Sequence, residues 1–268
     1  KQIDEAGDLQ QDELAKKLDV RYMANGELWR MGELFQLSLE LYDTKDKKVV
    51  WSDRWQEKWD NLATIKINLS DGLLKALDMS YKVEKKVETT NTEAYEFYLK
   101  AKHKYDKRKN TDDTEIARGL LQKAMELDGN LITAKNLLGL TYREMGDYDK
   151  ALDIFTPALK QAEELGDKYG MGISLNNIGN VHWHKSDYKR AEDYLEKSLA
   201  IQKEIGHGGE LPLWTNTHLY LTYRHFGKDY DEKEIHTLIK KTENIEFELN
   251  LRLYELLEDT TYLETAYN

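Results

Sequence analysis

Histidines are the residues in this chain whose type and spacing come nearest to a metal or acid–base site. His182 and His184 are two residues apart, so on a helix their side chains point about 200° apart and cannot bind one metal ion. His218 and His225 are seven residues apart and share a helix face, but no third ligand lies at local spacing. His182 takes the place that Tyr142 holds in a related stretch of the chain, which favours a packing role. The sequence therefore predicts no metal site.

Motifs for nucleotide binding or nucleophilic catalysis are also missing from the sequence. The glycines of "GHGGE" at residues 206–210 lack the strand–turn–helix context and the lysine of a phosphate-binding loop. There is no G-x-S-x-G turn for a nucleophilic serine. With no cysteine there is no thiolate nucleophile and no cysteine-ligated metal. We therefore expect a protein that is not an enzyme and that uses no cofactor.

The charge balance argues against nucleic acid as a partner. The 268 residues carry a net charge of −11, whereas binding to a phosphate backbone needs clustered lysine and arginine. No run of about 18 apolar residues is present, so no segment is expected to insert into a membrane. The lack of cysteine leaves the compartment open between the cytoplasm, which we favour, and the periplasm.

One stretch of the chain occurs twice. "LGLTYREMGDYDKA" at residues 138–151 and "IGNVHWHKSDYKRA" at residues 178–191 share a glycine, an Asp-Tyr pair and an alanine at a constant offset of 40 residues. Each copy predicts two amphipathic helices joined by a short polar turn, with Gly139 and Ala151 at their close contact. Phe155 lies four residues after Ala151, on the same helical face. Such a unit cannot bury its apolar face alone, so neighbouring units must stack on it.

The two copies, "NLLGLTYREMGDYDKALDIFTPAL" and "NNIGNVHWHKSDYKRAEDYLEKSL", resemble the tetratricopeptide repeat family. The resemblance implies a superhelix of helix pairs, in which the first helix of each pair lines a concave groove. Weaker copies flank them, one upstream with Ala101 and Ala117 as close-contact residues and one downstream with Gly227. We expect Pro157 to bend the second helix of a strong copy without ending it.

The first ninety residues differ in kind from the repeats. Three segments predict strands, "DVRYMANGELWR", "ELFQLSLELYD" and "KKVVWSDRWQ", with "TKDKK" as a hairpin turn. A short helix is expected at "DELAKKL" and a longer one from Leu62 to about Lys85. Trp51, Trp55 and Trp59 fit either a strand face or a helix stripe.

Residues 12–80 resemble the back half of the TolB amino-terminal-like module in the pattern "LDVRYMANGEL…LELYDTKDKKVVW". In bacteria this module frequently lies between a signalling domain (a cyclase, a kinase or a winged-helix DNA binder) and tetratricopeptide repeats. The resemblance implies a part of a larger bacterial signal-transduction protein. The upstream strand and helix of the module are missing, so the sheet is expected to have an open edge that can pair with another chain.

The expected fold is mainly α-helical, a tetratricopeptide-repeat superhelix preceded by a small α/β segment with about three strands. Residues 1–90 are the α/β segment with its connecting helix, residues 91–242 are the repeats (two clear and two degenerate), and residues 243–268 are an acidic capping segment. This capping segment carries one arginine and seven acidic residues. Its apolar residues fit a strand or a helix, and its leucine and glutamate content favours the helix. We expect its acidic groups to fold back onto the side of the groove that carries Arg143, Arg224 and His218.

The predicted ligand site is the groove formed by the first helices. Asparagine carries both a donor and an acceptor, so a row of asparagines can pair with the backbone of an extended peptide of any sequence. Groove asparagines do this in the family that the repeats resemble. Tryptophan and arginine beside them are residue types that often anchor interfaces. The predicted groove residues are Asn136, Arg143, Asn176, Asn177, Asn180, Trp183, His184, Trp214, His218 and Arg224.

These features predict a non-enzymatic protein–protein interaction module that binds a peptide or a helix in the groove. The alternative is a self-assembly module without a peptide ligand. In that alternative the open sheet edge and the degenerate terminal repeats join copies of the chain into a homo-oligomer.

Overall fold

The structure is a computed structural model that describes residues 20–32, 34–58, 69, 72–73, 77, 89, 91–206, 210–242, 245 and 247–267. The chain divides into two compact units. Unit 1 comprises Lys1–Tyr81 and Val87–Thr92, and unit 2 comprises Lys82–Lys86 and Glu93–Asn268.

Unit 1 contains an antiparallel sheet of three strands in the order β1, β2, β3. The strands are β1 (Tyr22–Met31), β2 (Leu34–Asp43) and β3 (Lys48–Lys58). They confirm the three strands that the alternation of apolar and polar residues predicts. The "TKDKK" segment forms the turn between β2 and β3, where the Asp43 carboxylate accepts hydrogen bonds from the backbone N–H groups of Lys45 and Asp46 at 2.9 and 3.1 Å.

The apolar face of β2 packs against tryptophans of β3. Phe35 and Leu41 are buried, and Trp51 pairs with Leu41 across the two strands. The rings of Trp51 and Trp55 are 6.0 Å apart, so both tryptophans are strand residues. Trp59, the helix expected at "DELAKKL" and most of the helix expected over residues 62–85 lie outside the described residues.

Ten helices follow among the described residues, and from Glu93 onward they belong to unit 2. They are α1 (Thr92–Asp106), α2 (Thr111–Leu127), α3 (Ile132–Glu144), α4 (Tyr148–Leu165), α5 (Lys168–His184), α6 (Tyr188–Ile205), α7 (Glu210–His225), α8 (Glu232–Lys241), α9 (Phe247–Leu257) and α10 (Thr260–Tyr267). Within the described ranges none of these helices combines the length and apolarity needed to cross a membrane. The mainly α-helical fold with a preceding sheet is confirmed.

The two strong repeats are the helix pairs α3–α4 and α5–α6, and Gly139 and Gly179 lie at the close contact inside each pair, as the sequence predicts. The side chain nearest to Gly139 is that of Phe155, one turn after the predicted Ala151. The ring of Phe155 fills the space at Gly139, and a Cβ atom at that glycine would lie only 2.3 Å from it. Leu195 takes the same place at Gly179, where a Cβ atom would lie 2.8 Å from its Cγ. Any side chain at either glycine would therefore have to displace the side chain of Phe155 or Leu195 from this contact.

Helix α4 continues through Pro157, from Tyr148 to Leu165. Proline has no N–H group, so the helix loses one internal hydrogen bond at this position. Phe155 and Ala158 on either side of the proline are fully buried. Their burial stabilises the helix across the proline, and the expectation that Pro157 does not end the helix is confirmed.

The acidic C-terminal segment forms the helices α9 and α10, so of the two alternatives for this segment the helix is confirmed. Leu249, Leu253 and Leu256 follow one another at helical spacing on α9. All three are buried in one cluster with Leu213 and Leu219 of α7. The apolar face of α9 is therefore packed against the last complete helix pair.

The turns inside the two strong repeats share an unusual backbone conformation. Gly146 has a φ of 77°, and Ser186, forty residues later at the equivalent position, has a φ of 60°. Glycine adopts this left-handed region without strain. A residue with a Cβ atom pays roughly 1–2 kcal/mol there. The second repeat therefore holds strain in its turn that the first repeat avoids.

We expect Ser186→Gly to raise the free energy of unfolding by about 0.5–1 kcal/mol, because the strain that is relieved exceeds the extra entropy of glycine in the unfolded chain. Urea denaturation followed by circular dichroism measures this change. Ser186→Ala is the matched control, since it removes the hydroxyl but keeps the Cβ atom, and it should give no gain. Equal gains from the two variants would attribute the effect to the hydroxyl and contradict the backbone explanation.

Candidate functional site

The predicted groove residues lie on the first helices of three successive helix pairs. Asn136 and Arg143 are on α3, Trp214, His218 and Arg224 are on α7, and the remaining five are on α5. Most of them are three, four or seven residues apart within a helix, a spacing that places side chains on one face. The surface formed by these ten side chains is called the groove face below.

Three of the groove-face asparagines join neighbouring helices to one another. The carboxamide oxygen of Asn136 accepts hydrogen bonds from the Ser174 hydroxyl at 3.1 Å and from Asn177 Nδ2 at 3.4 Å. The carboxamide oxygen of Asn176 accepts a hydrogen bond from the Thr215 hydroxyl at 2.9 Å. All five side chains are buried. These bonds fix α3 against α5 and α5 against α7.

Asn180 differs from the other three asparagines. Its side chain is 1% exposed, yet neither its amide nitrogen nor its carbonyl oxygen has a hydrogen-bond partner among the described residues. A buried polar group without a partner costs about 1–3 kcal/mol. Asn180 lies one helical turn before His184, on the same face of α5. A group that offered both a donor and an acceptor at this position would recover the lost energy.

Aromatic rings form the next part of the groove face. The ring of Trp183 meets the rings of His184 and His218 edge-on, at centroid distances of 5.2 and 5.3 Å. His218 stacks on Trp214 at 5.2 Å, and Tyr148 stacks on His184 at 5.7 Å. Because each ring is in contact with others, their positions are set before any ligand binds.

His218 and Trp183 each carry a buried polar atom without a partner. His218 Nδ1 lies 3.1 Å from the carbonyl oxygen of Trp214, and because a carbonyl only accepts, Nδ1 carries the proton and Nε2 is an acceptor. Burial lowers the pKa of His218 to about 3, so the ring is neutral at physiological pH. In the part of the chain that the structure describes, neither His218 Nε2 nor Trp183 Nε1 is hydrogen-bonded. The groove face of the described structure therefore holds an unpaired acceptor and an unpaired donor in addition to the amide of Asn180.

The acidic helix α9 contacts the groove face through its side chains. The Glu248 carboxylate is 3.3 Å from Arg143 Nη2 and 3.5 Å from His184 Nε2. One turn later the guanidinium of Arg252 lies over the Trp183 ring, 4.7 Å from its centroid. Helix α9 thus contacts α3 and α5 as well as α7.

Arg224 fixes the other end of α9. Its Nη1 donates hydrogen bonds to the backbone carbonyls of Glu255 at 2.7 Å and Leu256 at 3.3 Å, and its guanidinium forms an ion pair with Glu258. The last carbonyls of a helix have no partner within the helix, and positive charge is favourable there. The acidic segment therefore folds back onto Arg143 and Arg224, as its charge predicts.

Glu248 and Arg252 are absent from the predicted groove residues. The sequence feature that could have identified them is their spacing. The two charged residues are four positions apart, and they accompany Leu249 and Leu253 on one amphipathic helix. The spacing predicts that the helix packs on something, but it carries no information on which repeats lie beneath it. Only the structure places Glu248 beside Arg143.

The ionisation of Glu248 follows from its neighbours. Burial alone raises the pKa of this carboxyl, but the hydrogen bond from His184 and the positive charge of Arg143 outweigh burial and lower the pKa to about 2. The carboxylate is therefore charged at physiological pH. Its attraction to Arg143 and His184 stabilises α9 in place on the groove face.

His182 and His225 lie against aromatic rings. His182 stacks on Tyr194 at 5.6 Å, and burial lowers its pKa, as suits a packing residue. The ring of His225 lies 4.0 Å from that of Tyr188. Over the described ranges, no group of three or more histidine, cysteine, aspartate or glutamate side chains is arranged to hold a metal ion.

We expect the attachment of α9 to weaken as the pH falls from about 4.5 toward 2. The folded-state pKa of Glu248 is lowered from 4.5 to about 2, so its stabilisation is fully present above 4.5 and is lost as the pH falls through about 2. Arg143, His184 and His218 face this carboxylate. The ¹⁹F NMR signal of fluorotryptophan at Trp183, assigned with Trp183→Phe, reports whether α9 is in place.

Glu248→Gln should remove this pH response, because the amide cannot ionise. Glu255→Gln is the matched control and should keep it, since the Glu255 carboxylate bonds to Arg252 on its own helix. An unchanged titration in Glu248→Gln would show that another group controls the attachment of α9.

Comparison with known proteins places the repeats in a family. Residues 130–204 match the model of the tetratricopeptide repeat. No curated protein sequence matches the chain.

Several solved structures are similar to this chain. One is a Rap protein complexed with Competence and Sporulation Factor, at 16% identity over 76% of this chain and 52% of that chain, with a TM-score of 0.46. Another is NprR in complex with its cognate peptide NprX, at 21% identity over 77% and 57%, with a TM-score of 0.46. A third is BtubC from P. vanneervenii, at 18% identity over 68% and 74%, with a TM-score of 0.45. The chain spans about half the length of the first of these structures. The family match covers α3, α4, α5 and nearly all of α6, which are the two strong repeats.

Proposed function

We propose that unit 2 is a non-enzymatic protein–protein interaction module that binds a peptide or a helix at the groove face. The observation that carries this proposal is the set of buried polar atoms on Asn180, Trp183 and His218 that have no partner within the described residues. Together these atoms offer donors and acceptors, which are the groups that pair with a peptide backbone or a polar side chain. A partner that pairs with them gains energy that the free protein does not have.

The surrounding residues support the same proposal. Trp183, Trp214 and Arg143 are of the residue types that most often anchor protein interfaces. Their rings and charges are already held by neighbouring side chains, so little conformational entropy is lost on binding. In this proposal Asn136, Asn176 and Asn177 fix the helices, and the other groove-face residues contact the partner.

We also propose that the chain is the regulatory part of a larger bacterial signalling protein. The strands β1, β2 and β3 carry the pattern that resembles a partial TolB amino-terminal-like module. In this arrangement residues 1–90 link the repeats to signalling domains elsewhere in the protein. Residues 91–242 bind the partner, and residues 243–268 cap the repeats.

We expect Asn180→Ala to weaken partner binding by about tenfold or more, which corresponds to roughly 1.4 kcal/mol. Its free energy of unfolding should stay within about 1 kcal/mol of wild type, because in the described structure the amide has no hydrogen bond to lose. Binding is measured by quantitative pull-down from source-cell extract with mass spectrometry, and stability by urea denaturation.

Two variants serve as controls for this experiment. Asn136→Ala should lower the free energy of unfolding by about 1–3 kcal/mol, because Ser174 and Asn177 then lose their acceptor. Asn130→Ala changes an exposed asparagine outside the groove face and should leave binding unchanged. Equal capture of the partner by Asn180→Ala and by wild type would rule out binding at the groove face.

A second candidate function is self-assembly through the sheet of unit 1. Leu28, Trp29 and Met31 near the end of β1 are 59%, 63% and 69% exposed. Neighbouring residues of a strand point to opposite faces, so both faces of this strand end are uncovered. The strand β1 is also an edge of the sheet, and an exposed apolar edge strand is a template for pairing with a second copy of the chain.

If self-assembly is the function, light scattering coupled to size-exclusion chromatography should show dimers or larger species of the wild type at high concentration. Trp29→Lys/Met31→Lys should convert them to monomers, because charged residues at an edge block strand pairing. Val49→Lys on β3, at another exposed apolar position, is the matched control and should leave the oligomers intact. A wild type that stays monomeric would exclude this function.

A further inference from the structure

The position of α9 differs from that of a helix which merely extends the repeat stack. In such a stack each unit contacts only its neighbours, so a helix that followed α8 would be expected to contact α7 and α8. Glu248 on α9 instead bonds to Arg143 on α3, 105 residues away, and to His184 on α5. Helix α9 therefore packs on α7 and also reaches side chains of α3 and α5, through Glu248 and Arg252.

The contacts of α9 are those of an amphipathic helix bound in a groove. Leu249, Leu253 and Leu256 form its apolar face, and all three are buried. The Glu248 carboxylate immediately before them meets two groove-face side chains that are positive or can become positive. Arg224 bonds to the carbonyls of its last turn. One helix thus uses apolar, charged and backbone contacts with the groove face.

Charge complementarity favours an acidic helix over a basic helix at the position that α9 takes on the groove face. The groove face presents Arg143 and Arg224 at the two ends of α9. The acidic residues that meet them are Glu248 at the first turn and Glu258 just past the last turn. A lysine or arginine at the Glu248 position would place like charges together in a partly buried site. At the exposed Glu258 position it would face the positive charge of Arg224.

We propose that α9 is the chain's own copy of the ligand of the groove face, and that the partner is an acidic amphipathic helix that replaces α9. The partner helix carries a carboxylate followed by apolar residues one, five and eight positions later, in the pattern of Glu248, Leu249, Leu253 and Leu256. It also carries a polar side chain that pairs with Asn180, whose amide α9 leaves without a hydrogen bond among the described residues. This inference rests on the proposed function of unit 2 and names the class of its partner. Displacement of α9 makes binding of the partner and release of the C-terminal segment one event.

Covalent attachment gives α9 an advantage over any free helix. A tethered segment competes at an effective concentration on the order of 1 mM, so a free copy of α9 binds the wild-type chain poorly at micromolar concentration. A substitution in α9 that weakens its attachment to the groove face reduces that advantage, while the groove face itself stays unchanged. This difference makes the proposal measurable in the full chain.

The probe is a fluorescent peptide of residues 245–258, "IEFELNLRLYELLE", added to the full chain and followed by fluorescence anisotropy. The Glu248→Gln chain should bind this peptide at least about tenfold more tightly than wild type, because its own α9 has lost the charge that holds it. The Glu255→Gln chain is the matched control and should bind like wild type. Equal binding by all three chains would overturn the proposal.

A double-mutant cycle tests whether the peptide occupies the place of α9. A peptide with glutamine at the Glu248 position should bind the Glu248→Gln chain about tenfold more weakly than the natural peptide. This difference should become smaller when the chain also carries Arg143→Gln, since the two groups contact each other while His184 remains. A difference of undiminished size in the Arg143→Gln chain would place the peptide elsewhere and overturn the proposal.

Displacement of α9 can be observed directly because the chain has no cysteine. Glu163→Cys on α4 and Thr260→Cys on α10 are exposed positions for a pair of spin labels. The peptide should lengthen or broaden the distance between the labels in the Glu248→Gln chain. Binding without any change in that distance would show that α9 stays in place, which contradicts the proposal.

The outcomes separate this inference from the proposed function. If the peptide fails to bind while capture of a partner still depends on Asn180, the groove face binds a partner of another chemistry and only this inference fails. If the peptide binds and displaces α9 while no captured protein depends on Asn180, the groove face accepts only its own helix and the proposed function fails.

Discussion

Close contact of two helices over a glycine is the constraint on which the repeats of unit 2 depend. Phe155 occupies the space beside Gly139, and Leu195 occupies the space beside Gly179. This contact sets the distance and rotation of the two helices in each pair, because neither glycine can carry a side chain without a clash. The rotation in turn decides which residues of α3 and α5 face the partner helix and which form the groove face.

The buried asparagines of the groove face differ in whether their side chains are hydrogen-bonded. Asn136, Asn176 and Asn177 bond to side chains of adjacent helices, so their burial is compensated and they fix the spacing of the repeats. Asn180 is buried to the same degree but has no partner among the described residues. A protein tolerates such a cost where the group serves a purpose other than stability. That difference is why Asn180 stands at the centre of the proposed function.

Electrostatics decide how α9 lies on the groove face. Its leucines are buried in an apolar cluster, but apolar contact alone has little directional preference. The carboxylate of Glu248 between Arg143 and His184, and the bonds from Arg224 to the last carbonyls, fix its direction and its register. The charged contacts at both ends are also the ones that a competing helix would have to reproduce.

The sequence by itself determined the repeated helix pairs, the strands of the sheet and the positions that share a helix face. These features follow from local periodicity and from small residues at fixed spacing, which act over a few turns of chain. Gly139 and Ala151 illustrate this, since 12 residues separate them and the repeat pattern places both where the two helices approach each other. The tertiary structure alone decided which asparagines pair with one another and that Glu248 meets Arg143. Those contacts join residues 38 to 105 positions apart, and they depend on how successive pairs stack, which no local pattern encodes.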